Sequence, residues 1–303
     1  MSERSGGGTA LGPRPDKHSG DEVKELVERY NLQRAGARLP LWDYTRQVWA
    51  RRHFISSFSS ANNQVGYSGN FLGQAWQLLT PLLNVGVYFL VFGELLHTKR
   101  GVHNFISYLT IGLFVFTFTS TAVTQGSKAI SSRLGLTRAL HFPRAVLPLS
   151  TTLQALQTLV FSMIIMIPIV LITGEPVTWR WVLIIPAVAL QSLFALGLAF
   201  IFARVGAHIP DTSQLLPFLM RVWMYCSGIL YAVSTVTKGH ADWVKQVFEI
   251  NPAYVYVHLA RHAFLTDNPA TMRDWQLAAA WGVVALLIGY VVFWQGEESY
   301  GRV

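Results

Sequence analysis

The chain has 303 residues, of which 51% are hydrophobic and only 13% charged, with a formal net charge of +8. That balance is too apolar and too charge-poor for an ordinary soluble domain. The basic residues sit mostly in loops beside apolar segments, where anionic lipid headgroups account for them without a nucleic-acid partner.

Residues 1–20 are rich in Gly, Pro and Ser and read as a flexible tail. Ser19 and Glu22 stand at capping-box spacing. Val23, Leu26, Val27 and Tyr30 follow at i, i+3, i+4 and i+7, so a short amphipathic helix is expected over 21–32. Residues 1–40 are thus expected to form a cytoplasmic tail with one small helix, ahead of a membrane domain over 41–303. A second amphipathic helix is expected over 41–60. Leu41, Tyr44, Val48, Ile55 and Phe58 fall along one side of it, with Arg46, His53 and Ser57 opposite. Arg51 interrupts the stripe, but its long stem can carry the charge to an interface. The pattern suits a helix lying in the membrane surface.

Six stretches of membrane-spanning length follow, at about 71–96, 104–127, 145–174, 181–203, 212–237 and 275–296. Each is at least about 20 residues long, enough to cross a hydrocarbon core of roughly 30 Å. Apart from Glu94 near the end of the first, Arg221 is the one charge inside them. Backbone in lipid must satisfy its own hydrogen bonds, so the six stretches are read as helices, not strands. The fold class is all-α integral membrane. Pro81 and Pro168 fall within spans, where they kink helices. In the segment 238–274, Asn251 and Pro252 break the chain and start a helical pattern through Phe264. It is too short and too polar to span, so one or two short helices in the outer leaflet are expected before the last crossing.

The first 70 residues carry ten Lys/Arg and no signal-peptide core, which keeps the N-terminus in the cytoplasm. Six crossings return the C-terminus to that side. The loop Lys128 to Arg144 holds four basic residues and no acidic one, and segments assigned inside total sixteen Lys/Arg against seven outside. The single cysteine, Cys226, lies in the fifth stretch and excludes an intrachain disulfide.

Catalytic chemistry is poorly represented. There is no GxxxxGK[ST], HExxH, GxSxG or CxxC string, and no catalytic residue, metal ligand or cofactor site is assigned. His258 and His262 stand at i, i+4 without a third ligand at a sensible spacing, and they are read as polar residues on the wet face of an interfacial helix rather than as a metal site. Arg221 is open to two readings, a structural pairing, for instance with Asp211, or contact with a substrate. Aromatic residues recur in the spans. Trp76, Tyr88, Phe114, Phe118, Tyr225 and Tyr231, together with Arg221, are the candidates for a passage lined for sugar rings; ordinary packing is the alternative.

Several strings, read in order, resemble the type-2 permeases of ABC transporters. In RRHFISSFSSANNQVGYSGNFLGQAWQLLTPLLNVGVYFLVFG, Leu72, Gly73, Trp76, Leu79, Pro81 and Leu82 hold the places of an LGxxWxxLxPL stretch that opens the first span. GSKAISSRLGLTRALHFPRAVLPLS resembles the family's cytoplasmic coupling segment, ending at Phe142, Pro143, Arg144, Leu147, Pro148, Leu149 and Ser150. Ser227, Gly228 and Tyr231 match an S-P/G-x-x-Y element, and NPAYVYVHLARHAFL is similar to an NPxxxxxxxxR element before the last span. The likeness covers about residues 42–300. The usual basic run is replaced by SSANNQVGYSGN, and Gly228 stands where many relatives have Pro.

Within the family the resemblance points to exporters of lipid-linked polysaccharide, such as O-antigen, teichoic-acid or galactan precursors. It implies a homodimer in a bacterial plasma membrane, bound to two copies of a separate ABC ATPase that holds ATP and Mg. It also implies that the ATPase pushes on the 41–59 helix and the 126–144 segment, with Arg46, Arg51, Arg52, Lys128, Arg133, Arg138 and Arg144 as coupling candidates. Arg51, Arg52, Arg133 and Arg138 are also candidates to attract a pyrophosphate, headgroup anchoring being the alternative. Export of a drug or small lipid, a membrane glycosyl- or acyltransferase, and a scaffold are the competing functions.

Overall fold

The computed structural model describes residue 29 and residues 39–65, 73–95, 102–135, 142–239 and 241–300. The small helix expected over 21–32 lies outside them apart from Arg29, and Arg138 lies outside them too. The chain separates into two units, 1–37 and 38–303, and every helix named below belongs to the second. Among the described residues all regular structure is helical.

Helix α1, Leu41–Ala50, and α2, Arg52–Val65, replace the single helix expected over 41–60. The reason is local: the Arg51 N–H bonds back three residues to Val48 O at 3.1 Å, a tight turn that redirects the axis. Tyr44, Val48 and Ile55 of the expected stripe are buried, while Leu41, Trp42 and Trp49 are exposed. Helix α2 leans on the helix Val146–Ile172 (α5) through polar contacts. Asn63 Nδ2 donates to Gln157 Oε1 at 2.8 Å, and Gln157 Nε2 donates to Ser60 Oγ at 3.1 Å.

Helix α3, Trp76–Tyr88, contains Pro81 and continues into a π-helical turn, Phe89–Leu95. Among the described residues, four helices are long and apolar enough to cross a membrane. They are α4 (Phe105–Lys128), α5 (Val146–Ile172), α6 (Ile184–His208, prolonged at its start by a 3-10 turn, Trp179–Leu183) and α11 (Met272–Gln295). The most apolar part of α4 is 78% buried, against 28 to 33% in the other three. Helix α4 is therefore the core around which the others pack, and their outer faces are left for lipid.

Small residues allow the closest packing. Ala278, Gly282, Ala285 and Gly289 form a buried stripe on α11, and it lies against Gly197 of α6. A Cβ on Gly289 would collide with the Gly197 carbonyl oxygen, and one on Gly197 with the backbone of Ala285. Such close backbone approach is how helices associate where lipid removes the hydrophobic drive.

The stretch 212–237 folds as α7, Thr212–Tyr225, and the four-residue α8, Val233–Val236, with non-helical chain between them. Ser227, Gly228, Ile229 and Leu230 in that break are buried. Gly228 has φ +60°, a left-handed conformation that disfavours a side chain. Two short helices follow before the last long one: α9, Asp242–Ile250, and α10, Pro252–Phe264. Asn251 caps α10, accepting from Ala253 N–H at 3.1 Å, with Pro252 in the first helical position. The same Asn251 accepts from Trp223 Nε1 at 2.9 Å and donates to Ser227 Oγ at 3.1 Å, binding the cap to the end of α7.

Candidate functional site

Helices α3, α4 and α7 enclose a cleft of about 360 Å³. Pro81 and Pro217, each inside its helix, lie on its walls. Helix α3 contributes Thr80, Asn84 and Tyr88. Helix α4 contributes Phe114 and a row of hydroxyls, Thr117, Ser120 and Thr124, at helical spacing. Helix α7 contributes Met220, Met224 and Arg221. Helix α4 carries Thr119 and Thr121 beside this row, and Thr124 Oγ1 donates to Ser120 O at 2.7 Å.

Arg221 is exposed on this wall, and Tyr88 stands beside both Arg221 and Tyr225. Tyr231 hooks back over the break, its hydroxyl donating to Tyr225 O at 2.8 Å. Of the seven aromatic and basic path candidates, Tyr88, Phe114 and Arg221 line the cleft directly. Tyr225 and Tyr231 stand at its α7 end. Phe118 lines a smaller void of about 40 Å³ behind Phe114, between α4 and α5. Trp76 lies at the start of α3 and does not line the cleft.

Chemically the cleft offers one guanidinium, hydroxyl and amide groups, and aromatic faces. A guanidinium facing lipid would cost about 2.5–3.5 kcal/mol on insertion scales. Water, a polar ligand or a second chain over the cleft avoids that cost. The flanks are apolar: Leu82, Leu83 and Val87 on α3, Leu90 on the π-helical turn after it, and Leu215, Phe218, Leu219 and Val222 on α7, are exposed.

None of the described basic candidates for coupling lines the cleft. Arg46, Arg51 and Arg52 are exposed on α1 and at its junction with α2, and Lys128 is exposed at the end of α4. Arg52 stacks over Trp49 at 5.8 Å, and Arg133 lies 4.9 Å over the Phe58 ring. Arg144 is half-buried, and its guanidinium binds the Glu297 main-chain carbonyl.

Sequence reasoning missed Arg261, the buried arginine of this fold at 1% exposure. Its Nε, Nη1 and Nη2 donate to the carbonyl oxygens of Tyr108, Gly228 and Ile229 at 3.1, 3.1 and 2.8 Å. The NPxxxxxxxxR string carried it, but hydropathy assigned it to a peripheral segment. Glu175 was missed as well. It is 7% exposed, and its carboxylate accepts from Asn104 Nδ2 and from the Thr266 N–H and hydroxyl. His258 and His262 do not converge on a metal site. His258 stacks on Tyr254 and lies 3.8 Å from Asp274, while His262 Nδ1 accepts from Ala270 N–H. Among the described residues no three His, Cys, Asp or Glu side chains are placed to hold a metal ion.

Residues 55–265 match the ABC-2 type transporter family. The chain belongs to it. This ABC-2 chain is 30% identical over 257 residues to an O-antigen export system permease protein, RfbA, of Myxococcus xanthus. That alignment covers 85% of this chain and 97% of the relative. It is 25% identical over 234 residues to a polysialic acid transport protein, KpsM, of Escherichia coli, covering 75% of this chain and 87% of that one. As an ABC-2 member with four helices of membrane-crossing length and character, the protein is a multi-pass membrane permease.

Proposed function

We propose that this permease is the transmembrane subunit of an ATP-driven exporter that moves a polysaccharide attached to a polyprenyl-pyrophosphate lipid from the cytoplasmic to the outer face. Galactan, O-antigen and teichoic-acid precursors are the candidate cargoes. The observation that carries the reading is the α3–α4–α7 cleft, where Arg221, Tyr88 and a hydroxyl row meet inside apolar helices. Aromatic faces and hydroxyls suit sugars. Two relatives named for O-antigen export and polysialic acid transport support the cargo class.

In this reading the chain makes six crossings of a bacterial inner membrane, with both termini in the cytoplasm. Helix α3 with its π-turn forms the first, and α7 with the buried break forms the fifth. Two copies pair across the apolar flanks of the cleft, so that Arg221 faces a shared passage. Two ABC ATPase subunits supply ATP and Mg and hydrolyse the nucleotide. They press on α1 and the 126–144 segment, with Arg46, Arg51, Arg52, Lys128, Arg133, Arg138 and Arg144 at that surface. The permease itself catalyses no reaction.

Depletion in the native host is the test. Lipid-linked glycan should accumulate on the cytoplasmic face, and a plasmid copy should relieve this while an Arg221→Glu copy should not. Altered resistance to small hydrophobic drugs with no glycan accumulation would replace this reading with export of a small lipid or drug.

A further inference from the structure

A second polar assembly, apart from the cleft, joins three elements that are distant in sequence. Tyr44, on the buried side of α1, donates its hydroxyl to Glu297 Oε2 at 2.8 Å. Glu297 follows the end of α11 by two residues. Its other oxygen, Oε1, accepts the backbone N–H of Arg144 at 3.0 Å, and the Arg144 side chain returns to the Glu297 main-chain carbonyl. The Tyr44 oxygen also accepts Ala145 N–H at 3.1 Å. One tyrosine and one carboxylate therefore bind α1 at once to the head of α5 and to the tail of α11.

Two bonds run alongside. Thr45 Oγ1 and Tyr290 Oη share a hydrogen at 2.8 Å, and Trp294 Nε1 donates to Leu39 O at 2.9 Å. The surroundings are apolar: Val48, Ile130, Phe200, Phe293 and Tyr300 are buried in the same cluster. Burial pushes the Glu297 carboxyl above its usual range, against the lowering pull of the Arg144 and Tyr44 contacts.

A fold that needed only adhesion here has apolar contact available, and replacing buried polar groups by apolar ones is often neutral or stabilising. A bonded carboxylate adds direction. It fixes one relative position of α1, α5 and α11, where apolar surfaces would slide. The far side of α1 exposes Trp42, Arg46 and Trp49 to whatever docks there.

We infer that Glu297 is a positioning residue for energy coupling, tying α1 to α5 and α11 so that a push on α1 moves both long helices together. The inference rests on the reading above, in which an ATPase delivers that push, and it adds the segment after the last span to the transmission route.

The test uses the permease purified with its cognate ABC ATPase and reconstituted in liposomes. The cargo probe is polyprenyl-pyrophosphate-linked glycan extracted from the host. Glycan exported per ATP hydrolysed is compared for wild type, Glu297→Ala, Glu297→Gln and Tyr44→Phe. Hydrolysis should persist in all of them, while export per ATP falls at least about fivefold in Glu297→Ala and Tyr44→Phe, each of which removes two hydrogen bonds of the clamp. Glu297→Gln, whose amide oxygen still accepts, should lie between. Tyr44→Phe keeps the packing ring, so it reports even where Glu297→Ala fails to assemble. An unchanged ratio in these variants, or hydrolysis and export lost in parallel at constant ratio, overturns the inference. Absence of ATP-driven export in the wild type overturns the underlying reading, and is distinguished by appearing before any substitution.

Discussion

Arg261 stands with its guanidinium carbon 3.2 Å from the centre of the Tyr108 ring, while its Nε donates to the carbonyl oxygen of the same Tyr108 at 3.1 Å. The other two arms hold Gly228 and Ile229, within the break between α7 and α8. Non-helical backbone at membrane depth needs partners inside the protein, and this planar fork supplies three donors in one plane. Gly112 leaves the space: a Cβ there would lie 2.6 Å from Arg261 Nη2.

Arg261→Lys should therefore destabilise the protein although it keeps the charge, because one ammonium cannot reach all three carbonyls. Arg261→Met should destabilise more, since Ile229 O loses its arginine donor, a loss on the order of 1–3 kcal/mol, while Gly228 O keeps the Tyr108 hydroxyl. Thermal unfolding in detergent should rank the wild type above Arg261→Lys, and Arg261→Lys above Arg261→Met. Equal midpoints would remove the fork from the account of the break.

The α6–α11 seam gives a steric prediction. Gly289→Val should abolish monodisperse folded protein on size-exclusion chromatography, since even a Cβ at that position meets the Gly197 carbonyl. Val283→Ala, on the exposed side of the same helix, should behave as wild type. If Gly289→Val runs like wild type, the close packing at that seam is wrong.

Helix α2 is held to α5 by Asn63, Gln157 and Ser60. Gln157→Leu removes both partners' bonds at once. It should cost more than Ser60→Ala, with each interhelical bond contributing roughly 0.6 kcal/mol, as measured between helices in membranes. Denaturation midpoints of the two variants decide the order.

Glu297 carries a pH dependence. Burial raises its carboxyl against the lowering effect of Arg144 and Tyr44, so the folded clamp favours the neutral acid. Its contribution is fully present below the unfolded carboxyl pKa and is lost as pH rises through the raised folded value. Hydrogen-exchange protection of α1 amides, corrected for intrinsic rates, should fall as pH rises just above the ordinary carboxylate range. Glu297→Gln should erase that dependence, and its persistence in Glu297→Gln would assign it elsewhere.

Much of this architecture was legible as hydropathy at span length, because α4, α5, α6 and α11 each carry a long apolar stretch with few charges. What escaped depends on partners far away in sequence. Thr212 to Thr237 reads as one continuous span, yet it breaks after Tyr225 because Arg261, more than thirty residues on, satisfies the freed carbonyls. Arg221 reads as the buried charge and is exposed on the cleft wall, while Arg261, in a helix too short to span, is the buried one. Tyr44 and Glu297 are 253 residues apart, and no local pattern links them. In the cleft, Tyr88, Phe114 and Arg221 were identifiable by residue type. The hydroxyls of Thr117, Ser120 and Thr124 were not, because lone Thr and Ser are ordinary in membrane helices, where they bond their own backbone.

The central claim is that glycan passes along the α3–α4–α7 cleft. The most direct measurement places a photo-crosslinking amino acid at Tyr88, at Thr117 or at Val283 in the reconstituted permease–ATPase complex. It is irradiated during ATP turnover with radiolabelled lipid-linked glycan. Label on the Tyr88 and Thr117 variants that depends on ATP hydrolysis, with none at Val283, is the predicted result. Label at Val283 alone, or equal label at all three sites, would contradict the account.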